Sequence, residues 1–67
     1  MQNYQGRQVF LTTQEVAKRW AMSRRSLEGW RDKGIGPTFH KIGSRVRYHI
    51  DDVEEFERRW RIGGEVQ

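Results

Sequence analysis

The chain has 67 residues, 34% of them hydrophobic, with eight aromatic side chains and a formal net charge of +4. One small domain with one modest core fits that length, and a second domain does not. The absence of cysteine excludes disulfides and thiolate zinc sites, two histidines are too few and too separated to suggest a metal, and no apolar run reaches membrane-spanning length. With no apolar signal-peptide core near Met1, a soluble cytoplasmic protein is expected.

The N-terminal residues 1–8 read as a flexible arm, and the first firm signal is Leu11-Thr12-Thr13-Gln14-Glu15-Val16. Thr12 can cap a helix, Glu15 can complete a capping box, and Leu11 and Val16 stand at hydrophobic-staple spacing. The pattern predicts a helix over 13–20 with Val16, Ala17 and Trp20 on its inner face. Ser23 then caps a second helix, for which Met22 and Leu27 form the staple, Leu27 and Trp30 the apolar stripe, and Gly34 the stop. So short a connection matches the tight turn of a helix-turn-helix.

Ile35-Gly36-Pro37 cannot continue a helix. Residues 38–42, a Gly43-Ser44 turn and residues 45–49 read as a β-hairpin, in which Val46 and Tyr48 face the core and Arg45, Arg47 and His49 face out. Asp51 or Asp52 is expected to cap a third helix, with Glu54 or Glu55 as box partner and Val53, Phe56 and Trp60 packing inward. Gly63-Gly64 begins a flexible tail over 63–67, which leaves 9–62 as the folded domain. The fold class is therefore α+β, a small winged helix-turn-helix of three helices with a two-stranded β-hairpin wing.

Charge is distributed unevenly along this scheme. Between Lys18 and Arg47 nine basic residues stand against Glu28 and Asp32, whereas from Asp51 onward six acids face three arginines. The middle of the chain is expected to meet a polyanion and the third helix to face away from it. Rotating the second helix at 100° per residue centres its outer face on Arg25, Glu28, Gly29 and Asp32, flanked by Arg24, Arg31 and Ser26. Arginine can bond guanine bidentately, a carboxylate can accept from the cytosine amino group, and a hydroxyl serves phosphate or base. Arg24, Arg25, Ser26, Glu28 and Arg31 are thus candidate DNA ligands on the helix.

Arg24 and Arg25 stand at the positive end of the helix dipole, an unfavourable place that an external anion would relieve. Glu28 and Asp32 equally suit pairing with neighbouring arginines, and both readings stay open. Gly29 would admit close backbone approach, or merely weaken the helix. Lys41, Arg45 and Arg47 surround the hairpin turn, where they can reach phosphate or an adjacent minor groove. His40 and His49 are expected at the surface near phosphate, and Trp20, Trp30, Phe56, Trp60 and Tyr48 in the core. No paired carboxylates, nucleophile-base set, phosphate loop or metal cluster is present, so neither catalysis nor a cofactor is expected.

Leu11 to Ala17, Ser23 to Trp30, Gly34 to Pro37, Ile42 to Tyr48 and Asp51 to Phe56, taken in order, resemble the excisionase family of MerR-like winged helix-turn-helix domains over roughly residues 9–61. The resemblance implies a small phage or integrative-element protein that binds direct repeats, bends DNA and directs an integrase toward excision. It implies double-stranded DNA, an integrase and neighbouring copies of the chain as partners, in a bacterial or phage-infected host at the nucleoid. Other members are transcriptional regulators or recognition modules of phage packaging proteins. Gly29 departs from the longer, often basic residue common before the helix tryptophan. The long dimerising helix of MerR regulators is missing, so small-molecule sensing is not expected. From a different class, the basic face could instead dock an acidic protein.

Overall fold

The computed structural model describes residues 9–61, so the expected arm over 1–8 and tail over 63–67 lie outside it. In chain order it contains β1 (Phe10–Leu11), α1 (Thr13–Arg19), α2 (Arg24–Lys33), β2 (His40–Ile42), β3 (Arg45–His49) and α3 (Ile50–Arg59). This is the three-helix, hairpin-bearing α+β architecture expected of a small winged helix-turn-helix. The hairpin strands pair antiparallel with Ile42 opposite Arg45, which leaves Gly43-Ser44 as a two-residue turn. A third strand joins them, because β1 pairs with the other edge of β3 and makes β3 the centre of the sheet.

Thr12 forms the expected capping box: its hydroxyl accepts from the Glu15 amide at 3.0 Å, and the Glu15 carboxylate accepts from the Thr12 amide at 2.8 Å. Ser23 caps α2 by accepting from the Ser26 amide at 3.1 Å. The two helix ends use one motif with different residues. At the end of α2, the amides of Gly34 and Ile35 donate to the carbonyls of Arg31 and Trp30, with Gly34 in the left-handed region at φ 74°. At the end of α1, the amides of Ala21 and Met22 donate likewise to Lys18 and Ala17, but the left-handed position is held by Ala21 at φ 56°. This Schellman closure makes the tight turn between α1 and α2, at the steric cost of placing a Cβ there.

Val16, Ala17, Leu27, Tyr48 and Val53 form the buried core, with Leu11, Trp20, Trp30 and Val46 packed against it. Gly36 is required by that packing, since its φ is 93° and a Cβ would approach Trp30 Cε3 to 3.1 Å. The structure corrects three expectations. Trp60 is not core: 64% of its surface is exposed, because α3 ends at Arg59 and the ring lies at the margin of the helices, 5.9 Å centroid to centroid from Phe56. His49 is not a surface residue but is 1% exposed, enclosed because β1 covers the end of β3 and Phe10 meets its ring edge-on at 5.0 Å. His49, and neither Asp51 nor Asp52, caps α3, its Nδ1 accepting from the Asp51 amide at 3.0 Å; both aspartates sit in the first turn, where they complement the dipole.

One polar clamp closes α1 onto α3. Arg19 donates to Glu57 through Nε at 2.6 Å and Nη2 at 3.0 Å, and Trp20 Nε1 donates to the same carboxylate at 2.5 Å. The Arg19 bonds hold the Glu57 carboxyl below the usual carboxylate range, with the Trp20 bond adding to them against a partial desolvation that acts the other way.

Two outcomes are expected. Ala21→Gly removes the left-handed Cβ and raises the unfolding free energy by about 0.5–1 kcal/mol, measured by urea titration, the gain being reduced by the entropy of the glycine when unfolded. Because the Glu57 pKa is depressed on folding, its contribution is complete at neutral pH and is lost as pH falls below about 4.3, the ordinary glutamate value, through the folded one. The stability difference between wild type and Glu57→Gln therefore shrinks as pH falls through and below the ordinary glutamate range, read from parallel denaturation curves.

Candidate nucleic-acid interface

A groove runs between the start of α1, the outer side of α2 and the hairpin. It is lined by Thr12, Thr13 and Gln14 from the first, Arg24, Glu28 and Arg31 from the second, and Arg45, Val46 and Arg47 from β3. Four guanidinium groups separated by as many as 23 positions in the chain (Arg24 to Arg47) thus border one concavity. The juxtaposition follows from β3, whose buried end is fixed in the core while its turn end projects with Arg45 exposed.

On α2 the side chains differ in how they are held. Arg24 is exposed and lies 3.4 Å from Glu28 one turn on, an i,i+4 pair that favours the charge-offsetting reading of Glu28. The Ser26 hydroxyl is 3.0 Å from the capping hydroxyl of Ser23. Arg25 is exposed, and the first turn of α2 contains no acidic residue, unlike those of α1 and α3. Two cations consequently occupy the positive end of this helix.

Arg31 is the most constrained of the set. Its Nη1 donates to the Thr13 hydroxyl at 3.1 Å and the Tyr48 hydroxyl at 2.8 Å, and its guanidinium carbon lies 5.6 Å from the centre of the Phe39 ring. In the wing, Arg47 donates to the Val46 carbonyl at 2.8 Å. Lys41 pairs across the hairpin with Val46, whereas Arg45 pairs with Ile42 and Arg47 with His40. Directly opposed residues share a face, so Lys41 stands on the side of the hairpin away from Arg45 and Arg47, and it does not line the groove.

Of the candidate residues, the structure brings together Arg24, Glu28, Arg31, Arg45 and Arg47, and sets Arg25 and Ser26 at the exposed start of α2. Sequence reasoning missed Thr12, Thr13 and Gln14 as groove residues. Their capping signal locates the helix start, but its position beside α2 arises only from tertiary packing. Among the described residues no group of three or more His, Cys, Asp or Glu side chains could hold a metal ion, and no helix is long and apolar enough to cross a membrane.

A capped helix pair with a tight turn, an exposed basic second helix and an adjoining basic hairpin define a winged helix-turn-helix nucleic-acid-binding domain. The chain belongs to the Helix-turn-helix domain family, whose model matches residues 10–61. This is a DNA-binding family, and double-stranded DNA is the partner that membership supports. No curated protein matches the chain.

Gly29 lies on the outer side of α2, and a Cβ there would meet nothing within 4 Å. Packing within the chain therefore does not require glycine. Gly29→Ala is expected to stabilise the fold by roughly 1 kcal/mol in thermal unfolding, the helix-propensity difference. A loss of DNA affinity in the same variant would identify close approach of the nucleic acid as the reason glycine is there.

Proposed function

We propose that the protein binds specific duplex sites by inserting α2 into the major groove and laying the wing along the phosphates or in an adjacent minor groove. The observation that carries this reading is the convergence of Arg24 and Arg31 with Arg45 and Arg47 on one groove, while α3 keeps its acids elsewhere. In this reading Arg24 and Arg25 meet the bases or phosphates nearest the start of α2, Arg45 and Arg47 position the duplex, and Lys41 reaches phosphate from the far side of the hairpin. Ser26 and Glu28 contribute polar contacts that the Ser23 and Arg24 interactions hold in place.

In our reading the biological output is excision: the chain acts as a recombination directionality factor that assists an integrase, with neighbouring copies associating on DNA. The support is the ordered resemblance to excisionases over residues 9–61. A phage or mobile-element transcriptional regulator would use the same interface, so the DNA sequence recognised must separate the two.

Selection of bound duplexes from a random pool at physiological salt tests the reading. Enrichment of a short motif, as spaced repeats, is the expected result; its occurrence beside integrase genes supports excision, whereas its occurrence at promoters favours regulation. Retention without enrichment would mean architectural binding, and no retention would favour docking to an acidic protein. On the selected duplex, Arg47→Ala is expected to lower affinity about uniformly across sequences and to reduce the slope of log K against log salt by about 0.9, the share of one phosphate contact. Arg25→Ala is expected to lower affinity and to relax preference at one base position.

A further inference from the structure

Arg31 lies in the row of basic residues that the charge pattern assigns to DNA, yet its bonds run inward. Nη1 is shared by the hydroxyls of Thr13, at the start of α1, and Tyr48, in β3, and both acceptors are buried, at 9% and 1% exposed. The same guanidinium lies over Phe39, whose ring is 6.2 Å from that of Tyr48. Phe39 immediately precedes β2 and Tyr48 lies within β3, so one side chain of α2 touches both arms of the wing and the first helix as well.

A hairpin of three and five residues joined by a two-residue turn has little apolar surface with which to fix its angle to a neighbouring helix. Val46 supplies part of the contact, being half-buried against the core. A planar guanidinium with directed N–H donors supplies what apolar contact does not, a fixed direction and a fixed distance. A buried tyrosine hydroxyl is also costly to leave without a partner, so the Tyr48 contact resists rearrangement.

We infer that Arg31 is a positioning residue: through the Tyr48 hydroxyl it sets the separation and angle between the recognition helix and the wing, so that Arg24 meets the same duplex as Arg45 and Arg47. The inference rests on the DNA-binding reading for its consequence, but the positioning itself is a property of the free protein. Because Tyr48 is buried it cannot touch DNA, and any effect of removing its hydroxyl reaches the duplex through the wing and Arg31. Holding the wing in its bound orientation before the encounter removes an ordering cost from binding.

The test uses Tyr48→Phe, Arg31→Ala and the double variant of the full chain, at a temperature where amide spectra show each to be folded. Two quantities are read: residual dipolar couplings of the 40–49 amides relative to those of the helices, and affinity for the selected duplex over a salt series. The expected result is that Tyr48→Phe reorients the hairpin amides and lowers affinity about tenfold with the wild-type salt slope, while the double variant binds no more weakly than Arg31→Ala. Unchanged couplings in Tyr48→Phe overturn the inference, as does a reoriented wing with wild-type affinity. A salt slope reduced by about 1 in Arg31→Ala also overturns it, because Arg31 would then be a direct phosphate contact. If the wild type retains no duplex, the DNA reading fails by itself, and the couplings alone decide whether Arg31 positions the wing.

Discussion

The other elements are placed relative to β3, and what fixes β3 is the enclosure of its last two residues. Tyr48 and His49 are each 1% exposed, and they join the strand to different parts of the molecule. Tyr48 enters the core beside Val16, Leu27 and Val53 and accepts from Arg31, whereas His49 packs against Phe10 and caps α3. Within five residues the strand passes from solvent to the interior, ending in the residue that caps a helix. Anchored at that end by β1, it carries Arg45 and Arg47 outward on a segment paired with β2. A chain of this length buries too little apolar surface to fix each element independently, so one central strand serves sheet, helix cap and interface together.

Local chemistry made much of this legible. The Thr12 box, the Ser23 cap and the Gly34 stop are encoded within four or five residues and appear as expected, since a cap needs only its own helix turn. The hairpin also follows from local alternation and its glycine-serine turn, although its first strand begins at His40 rather than Thr38. The features that escaped prediction depend on contacts distant in sequence. A two-residue strand such as β1 has no periodicity to detect, and its existence depends on β3 offering an edge. Once that edge is covered His49 is enclosed, and its imidazole accepts from the Asp51 amide at the start of α3. Trp60 matched the helical spacing of Phe56, but spacing does not reveal that the helix has ended before it reaches the core.

The candidate site divides along the same line. Basic residues could be assigned to an anion-facing region from charge alone, and the groove unites Arg24, Arg31, Arg45 and Arg47 there. Charge alone could not distinguish an arginine that faces outward from one engaged by buried hydroxyls, because the distinction at Arg31 depends on Thr13 and Tyr48 approaching from 18 and 17 positions away. Acidic residues show the converse. Glu57 binds α1 through Arg19 and Trp20, Glu55 pairs with Arg58, and Asp52 lies 3.7 Å from His40. The acids of α3 are thus engaged with partners on α1, on β2 and on α3 itself, and none of them lines the groove that the arginines border.

The aromatic residues have a consequence for how the molecule reports on itself. Trp20 and Trp30 lie 6.3 Å apart, both contact Phe56 at 5.4 and 5.9 Å, and Trp60 lies 5.9 Å from Phe56. Trp20 and Trp30 belong to the junction of the helices, Trp60 lies exposed at its margin, and residues 38–49 contain no tryptophan. Indole emission from this chain is therefore a spectroscopic window on the helices and their margin, and it carries no reporter within the wing itself.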